Sequence, residues 1–357
     1  MQASLSTEGP DFPFTGLRSL LAPYDLVIGN LECCVVDEQA HDAPIPPNQM
    51  RVPYPLAAGL SGVKMDVVSL ANNHILDGGP AGIVSTRSHL DRLGIRYFGA
   101  GADRAEAECP LILSHQDVRL GFIGACDVPS VAAGEQQAGV PPLDAARLGA
   151  RVRDCRALAD VVIVVLHADL EFSFHPAPSR VRLSRWLVEQ GADLVIQHHP
   201  HVCQGIERWG QGLIAYSLGN AVFRVRGNEY LGHRPGVDQG IVLSVDLELD
   251  QGRPKLDYDV LPIHIDALNR TVPSPGSMAD EQKQFIAAIS RDLADSRTIR
   301  RARMRRCVAE AALHSRSVYY TFAKQGPRAG LEHFRHLLAD PYQRRWMRSL
   351  VTLGHFG

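Results

Sequence analysis

Residues 191–220 read GADLVIQHHPHVCQGIERWGQGLIAYSLGN. The run 193–197, rich in Val, Ile and Leu and entered from Gly191-Ala192, is predicted as a short buried strand. It leads directly into His198-His199-Pro200-His201. Pro200 cannot donate to a strand ladder, so the histidines are expected in a loop beyond the strand's C-terminal end, where open α/β sheets build their sites. In extended backbone residues i and i+2 point the same way, so His199 and His201 are expected to converge. Two convergent imidazoles are half of a tetrahedral metal shell. A histidine-rich loop without a ligand is the plain alternative. A second strand over 213–217 ends in Leu218-Gly219-Asn220, another tight turn at the same kind of edge.

Outward from this stretch, buried strand followed by polar turn recurs. Residues 25–29 (DLVIG) lead to Asn30-Leu31-Glu32, and 65–70 (MDVVSL) to Ala71-Asn72-Asn73-His74. Residues 160–166 (DVVIVVL) end at His167. Helices are predicted over about 82–93, 144–158 and 179–190, and a hairpin over 110–114 and 119–124. Strand-then-helix order argues an α/β protein with strands buried on both faces. Residues 238–263 change to the alternation of an antiparallel edge pair. Residues 37–53, with four prolines, are expected to be a long polar loop.

At 357 residues the chain can hold one large domain with an appendage, or two domains. A net charge of −2 gives no whole-chain case for nucleic acid or an anionic membrane. No run approaches the length of a membrane span, and no basic, then apolar, signal segment is visible at the N-terminus. The seven cysteines form no C-x-x-C pair and read as reduced core residues, although Cys33 and Cys34 adjoin Glu32. The expected organisation is a main domain over 1–270, a linker over 271–279 and a helical extension over 280–357. In that extension Phe285, Ile289 and Leu293, then Met304, Val308 and Ala311, are expected to dock on the main domain. Arg297, Arg300, Arg301, Arg303, Arg305 and Arg306 lie among them, either as a solvated helix face or as a patch for a polyanion or membrane surface.

Glu32, Asn73 with His74, His167, and His199 with His201 therefore stand at four strand ends. They are expected to meet at one edge of one sheet. Imidazole mixed with one carboxylate and one carboxamide suits Mn, Fe or Zn, and a carboxylate can bridge two ions.

The motifs NLE, SLANNH-x-x-D-x-G, H-x-x-x-E, HHPHV-x-Q-x-x-E and YSLGN, in that order, resemble the CapA family of capsule or poly-gamma-glutamate biosynthesis proteins. The resemblance runs from about residue 24 to 243. It implies a calcineurin-like metallophosphoesterase sandwich, with mixed sheets flanked by helices. By the same resemblance Glu32 would bridge two divalent ions. Asn73, His167 and His199 would be ligands of the second ion, His201 of the first, and His74 the catalytic group beside the leaving oxygen. Asp77 and Gly79 would order the turn after His74, while Glu171 and Glu207 would be supporting or pocket residues, with a salt bridge as the alternative for Glu207. The family pattern opens with a strand ending in Gly-Asp, which has no counterpart ahead of Asp25. The chain is therefore expected to start after that strand and to hold one ion tightly, where a complete member holds two. Asp169 and Ala221 also depart from the pattern, and Asp169 or His198 could replace the missing ligand. The resemblance implies an anionic polymer, phosphoester or amide substrate, a polymer-synthesis membrane complex as partner, and a bacterial cell envelope location. The alternative is a non-catalytic polymer-binding or scaffold subunit.

Overall fold

The computed structural model describes residues 8–37, 49–228 and 231–339. Most of the expected loop over 37–53, and the helical reading beyond 339, lie outside these residues.

The chain is mixed α/β. Strands β1 (Ile28–Asn30), β2 (Cys34–Val36), β3 (Arg51–Pro53), β4 (Val67–Ser69) and β5 (Arg96–Phe98) come first. Of these β1, β4 and β5 form a parallel sheet in the order β1-β4-β5, and β2 pairs with β3. Strands β6 (Leu111–His115), β7 (Val118–Cys126), β8 (Val161–His167), β9 (Leu194–His198), β10 (Ile206–Trp209) and β11 (Gly212–Ala215) form a second sheet, in the order β10-β11-β9-β8-β7-β6. Its four central strands are parallel and its two edge strands antiparallel. A long hairpin, β12 (Gln239–Asp250) with β13 (Arg253–Ile265), carries β14 (Thr271–Pro273) at its edge.

Strand β8 shows why these segments read as continuous apolar runs. Val162, Val164 and Leu166 face helices α2 (Ala145–Arg156) and α3 (Pro178–Glu189). Val161, Ile163 and Val165 face the first sheet and the β12–β13 hairpin. Both faces are dry, and each such side chain contributes roughly 1.5–3 kcal/mol of burial. The first sheet is covered on its outer side by α1 (Gly79–Leu93), through Ile83 and Leu90 against Val68 and Leu70. The layers thus run helix, sheet, sheet, helix. The two sheets touch where Phe98 meets Phe122, with ring centroids 5.6 Å apart. At Gly124 a β-carbon would lie 2.7 Å from that of Ala71. That glycine lets the turn after β4 lie against the second sheet.

Within the expected linker over 271–279, β14 pairs with β13 and buries Thr271. Helix α4 (Gly276–Asp292) follows and packs Ile286 and Ile289 into the core. Helices α5 (Ser296–Gln325) and α6 (Pro327–Ala339) complete the described chain. The expected docking face of α5 is displaced. Val308 is 55% exposed, whereas Ile299, Arg303, Cys307 and Glu310 are buried. Apolar periodicity misses this face because two of its four members are charges paired with the main body.

Candidate functional site

The polar strand ends do meet, but at the junction of two sheets. Glu32 and Asn73 follow β1 and β4 of the first sheet, while His167 and the His199–His201 loop follow β8 and β9 of the second. Hydrophobic pattern identifies a buried strand without revealing which sheet it joins. The expectation of one edge of one sheet is corrected accordingly.

His167 Nε2 lies 2.7 Å from Asn73 Oδ1 and 3.5 Å from Glu32 Oε1, and His201 Nε2 lies 3.6 Å from the same Glu32 oxygen. Glu32, His167 and His199 each offer a ligand atom, all within 4.8 Å of one another. The rings of His167 and His199 are 4.7 Å apart. The expected extended H-x-H does not occur: His199 and His201 have φ of 98° and 57°, both left-handed. The convergence comes from this irregular backbone around Pro200. Each such non-glycine residue costs about 1–3 kcal/mol and persists only where its surroundings over-determine it.

Hydrogen bonds from neighbouring side chains fix several of the turns around the site. Asn72 is fully buried; its Nδ2 donates to Leu31 O at 2.7 Å, tying the Glu32 turn to the Asn73 turn, and its Oδ1 accepts from His74 N. Asn220 Nδ2 donates to Val237 O at 2.8 Å and to His201 O, which turns Oδ1 toward His201 Nδ1 at 2.9 Å. His201 Nδ1 is therefore the donor, and the lone pair of Nε2 faces Glu32. His74 Nδ1 is 2.8 Å from Asp77 Oδ2, which also accepts from Met50 N. Asp77 thus does more than order its turn: it leaves His74 Nε2 as the ring atom available to exchange a proton.

Burial works against the charged form of His74, but the Asp77 bond and the charges of Glu32 and Glu171 outweigh it and hold its pKa above the ordinary value. Burial, then the neighbouring imidazoles, press His167 well below the ordinary value; burial also lowers His199, and takes His198 to about 4. Neutral imidazoles are ligand-competent. Among the buried atoms without a hydrogen-bond partner are Glu32 Oε1, His167 Nδ1 and His199 Nδ1. An incompletely paired, largely buried cluster of two imidazoles and a carboxylate, with one ligand atom from each within 4.8 Å of the others, fits a divalent cation.

Other expected residues lie elsewhere in the network. Glu207 forms a two-pronged bond with Arg185 (3.0 and 2.7 Å) and accepts from the Tyr216 hydroxyl, as a structural salt bridge. Asp169 is committed to Arg303 at 2.8 Å and is not free to serve as a metal ligand. Sequence reading missed Asn72, Asn220 and Asp127. Asp127 closes β7 beside His167, donating its own N–H to His167 O while its Oδ2 accepts from Asp169 N. The available signals were the doubled asparagine before His74 and the asparagine ending the YSLGN turn.

Fold and site together define an α/β protein with a histidine–carboxylate cluster at the meeting of two sheets. Residues 1–225 match the family described as bacterial capsule synthesis protein PGA_cap, and the chain belongs to that family. It is 27% identical over 298 residues to the capsule biosynthesis protein CapA of Bacillus anthracis, covering 80% of this chain and 68% of that one. It is 27% identical over 295 residues to the PGA biosynthesis protein CapA of Bacillus subtilis, covering 80% and 73%. Among solved structures, a 5'-nucleotidase from Candida albicans aligns with 80% of this chain and 54% of its own, at 10% identity and a TM-score of 0.42. That likeness is too slight to bear on fold or site.

Proposed function

We propose that the chain is a metal-dependent hydrolase with a calcineurin-like metallophosphoesterase sandwich, acting in the synthesis or handling of a capsule-type polyglutamate. The observation that carries this reading is the largely buried cluster of Glu32, His167 and His199, with Asn73 and His201 against it. Glu32, Asn73, His167 and His199 would hold one divalent ion, of Mn, Fe or Zn type. His201, with a share of Glu32, would hold a second far more weakly, since two protein donors leave most of a shell to water. A bound ion supplies positive charge that polarises a phosphoryl or acyl oxygen. His74, held by Asp77 and kept readily protonated, donates a proton from Nε2 to the leaving group. Asn220 keeps the ligand atom of His201 facing Glu32. The helices after 271 pack on this body, supply no ligand, and form its C-terminal extension.

The family supports an anionic polymer as the molecule acted on, and a polymer-synthesis complex at the cell envelope as the setting. No helix among the described residues is long and apolar enough to cross a membrane. The test is metal analysis of purified protein alongside hydrolysis of a chromogenic phosphodiester and of poly-gamma-glutamate. Wild type should carry about one tight ion per chain by the ligand count, and Glu32→Gln should lose both metal and turnover. A metal-free wild type that still binds polymer would overturn the hydrolase reading in favour of a binding subunit.

A further inference from the structure

Helix α5 reaches the candidate site from outside the residues that match the family. Arg303, only 4% exposed, projects from it into the loop that follows His167. Its guanidinium bonds Asp169 Oδ1 at 2.8 Å and Oδ2 at 3.2 Å, Ser173 Oγ at 3.2 Å and His175 O at 2.7 Å. The Asp169 carboxylate also accepts from Leu170 N at 2.8 Å and Ala177 N at 2.6 Å. One buried arginine thus gathers both ends of the loop 168–177.

That loop is bonded to the histidine loop on either side of His199. Ala168 N donates to His198 O at 3.1 Å, and Phe172 N to Pro200 O at 2.7 Å. Asp169 and Phe172 have φ of 89° and 57°, so four left-handed non-glycine residues, with His199 and His201, face one another across two adjoining turns. A second contact from α5 reinforces the first. Glu310 pairs with Arg234, whose guanidinium lies 4.1 Å over the Phe172 ring, and that ring stacks toward His201. Stability alone explains the arrangement poorly. A buried ion pair gains little over apolar packing once desolvation is counted, and α5 already buries Ile299 and Cys307.

We propose that Arg303 is a positioning residue: through Asp169 and the loop 168–177 it holds His199 and His201 in the left-handed geometry that closes the site on Glu32. This rests on the metal reading above for its consequence, but not for its geometry, and the experiment separates the two. Co²⁺ affinity and its visible absorption, which reports coordination geometry, are measured together with amide hydrogen exchange of 168–177 and thermal melting. Arg303→Met should weaken Co²⁺ binding by about tenfold or more, the usual cost of losing support behind a ligand, change the absorption bands, and speed exchange of the loop. Asp169→Asn with Arg303→Met removes the buried charge altogether; it should melt closer to wild type yet keep the weakened affinity. Ile299→Ala loosens the same helix from the core without touching the loop, so it should lower melting and leave the absorption bands unchanged. If Arg303→Met fails to fold, Arg303→Lys, which keeps the charge and loses the fork, should show the same changes in smaller measure.

Wild-type loop protection in a folded Arg303 variant overturns the proposal. So does an equal spectral change in Ile299→Ala. Absence of Co²⁺ binding by wild type overturns the metal reading instead, and loop exchange still decides the role of Arg303.

Discussion

The two ends of the central strands treat polar groups in opposite ways. At the N-terminal ends three carboxylates have backbone partners: Asp66 accepts from Val27 N at 2.7 Å, Asp160 from Arg119 N at 2.9 Å, and Asp193 from Val162 N at 2.7 Å. Arg119 and Arg156 then pair with Asp160 and Asp193. At the C-terminal ends Glu32 Oε1, His167 Nδ1 and His199 Nδ1 are buried without a hydrogen bond, beside left-handed backbone. The first end joins neighbouring strands, and its polar groups are finished. The second holds polar groups unfinished, which a folded chain tolerates where something else completes them. The N-terminal carboxylates are partnered although Asp160 and Arg119 are partly exposed, whereas the buried histidines at the other end are left with unpartnered atoms.

The largest expected effect breaks the comparison by completing the unfinished end. Mn²⁺ at 100 times its Kd should raise wild-type stability by about 2.7 kcal/mol, and His167→Ala should abolish that gain, as read from melting with and without metal. A His167→Ala protein stabilised as much as wild type would show that the ion sits elsewhere. At the finished end, Asp193→Ala leaves the buried Val162 N–H without its acceptor and should cost about 1–3 kcal/mol. The metal-dependent gain should survive that change, and losing it would erase the distinction between the ends. Smaller again, Asn220→Ala frees the His201 ring and should weaken metal binding by about tenfold, measured by competition with a chelator dye. Unchanged affinity would mean that the left-handed backbone alone orients the ring.

The smallest effect lies in acid. Arg119, by side-chain and backbone bonds, holds the Asp160 carboxyl down at about 2, from an ordinary value of 3.8. A depressed folded pKa stabilises the protein above the unfolded value and loses that contribution as pH falls through the folded one. The stability of wild type should therefore decline more steeply than that of Asp160→Asn between those two values. Parallel acid limbs would show that this exposed pair contributes nothing.

Much of this was legible in residue order. The apolar runs over 161–166 and 194–196 announce strands because both of their faces are buried, and His167 and His199 follow them directly. The family motifs name the same candidates. The assignment of β1 and β4 to a different sheet from β8 and β9 was not legible, because period and composition are the same for strands of either sheet. Nor was the left-handed turn at His199 and His201, which a local rule for extended chain places wrongly.

What the sequence by itself determined is the set of buried strands, the polar residues at their ends, and the family. These depend on local pattern, where side-chain alternation and turn chemistry act over a few positions. Only the tertiary structure decided that Asn220 orients His201, that Glu207 belongs to Arg185, and that Arg303 reaches Asp169 across 134 positions. Those pairings are choices among many carboxylates, amides and guanidinium groups of equal chemistry. Packing of the two sheets and α5 selects among them, because a buried polar group must take the partner that the fold brings within bonding distance.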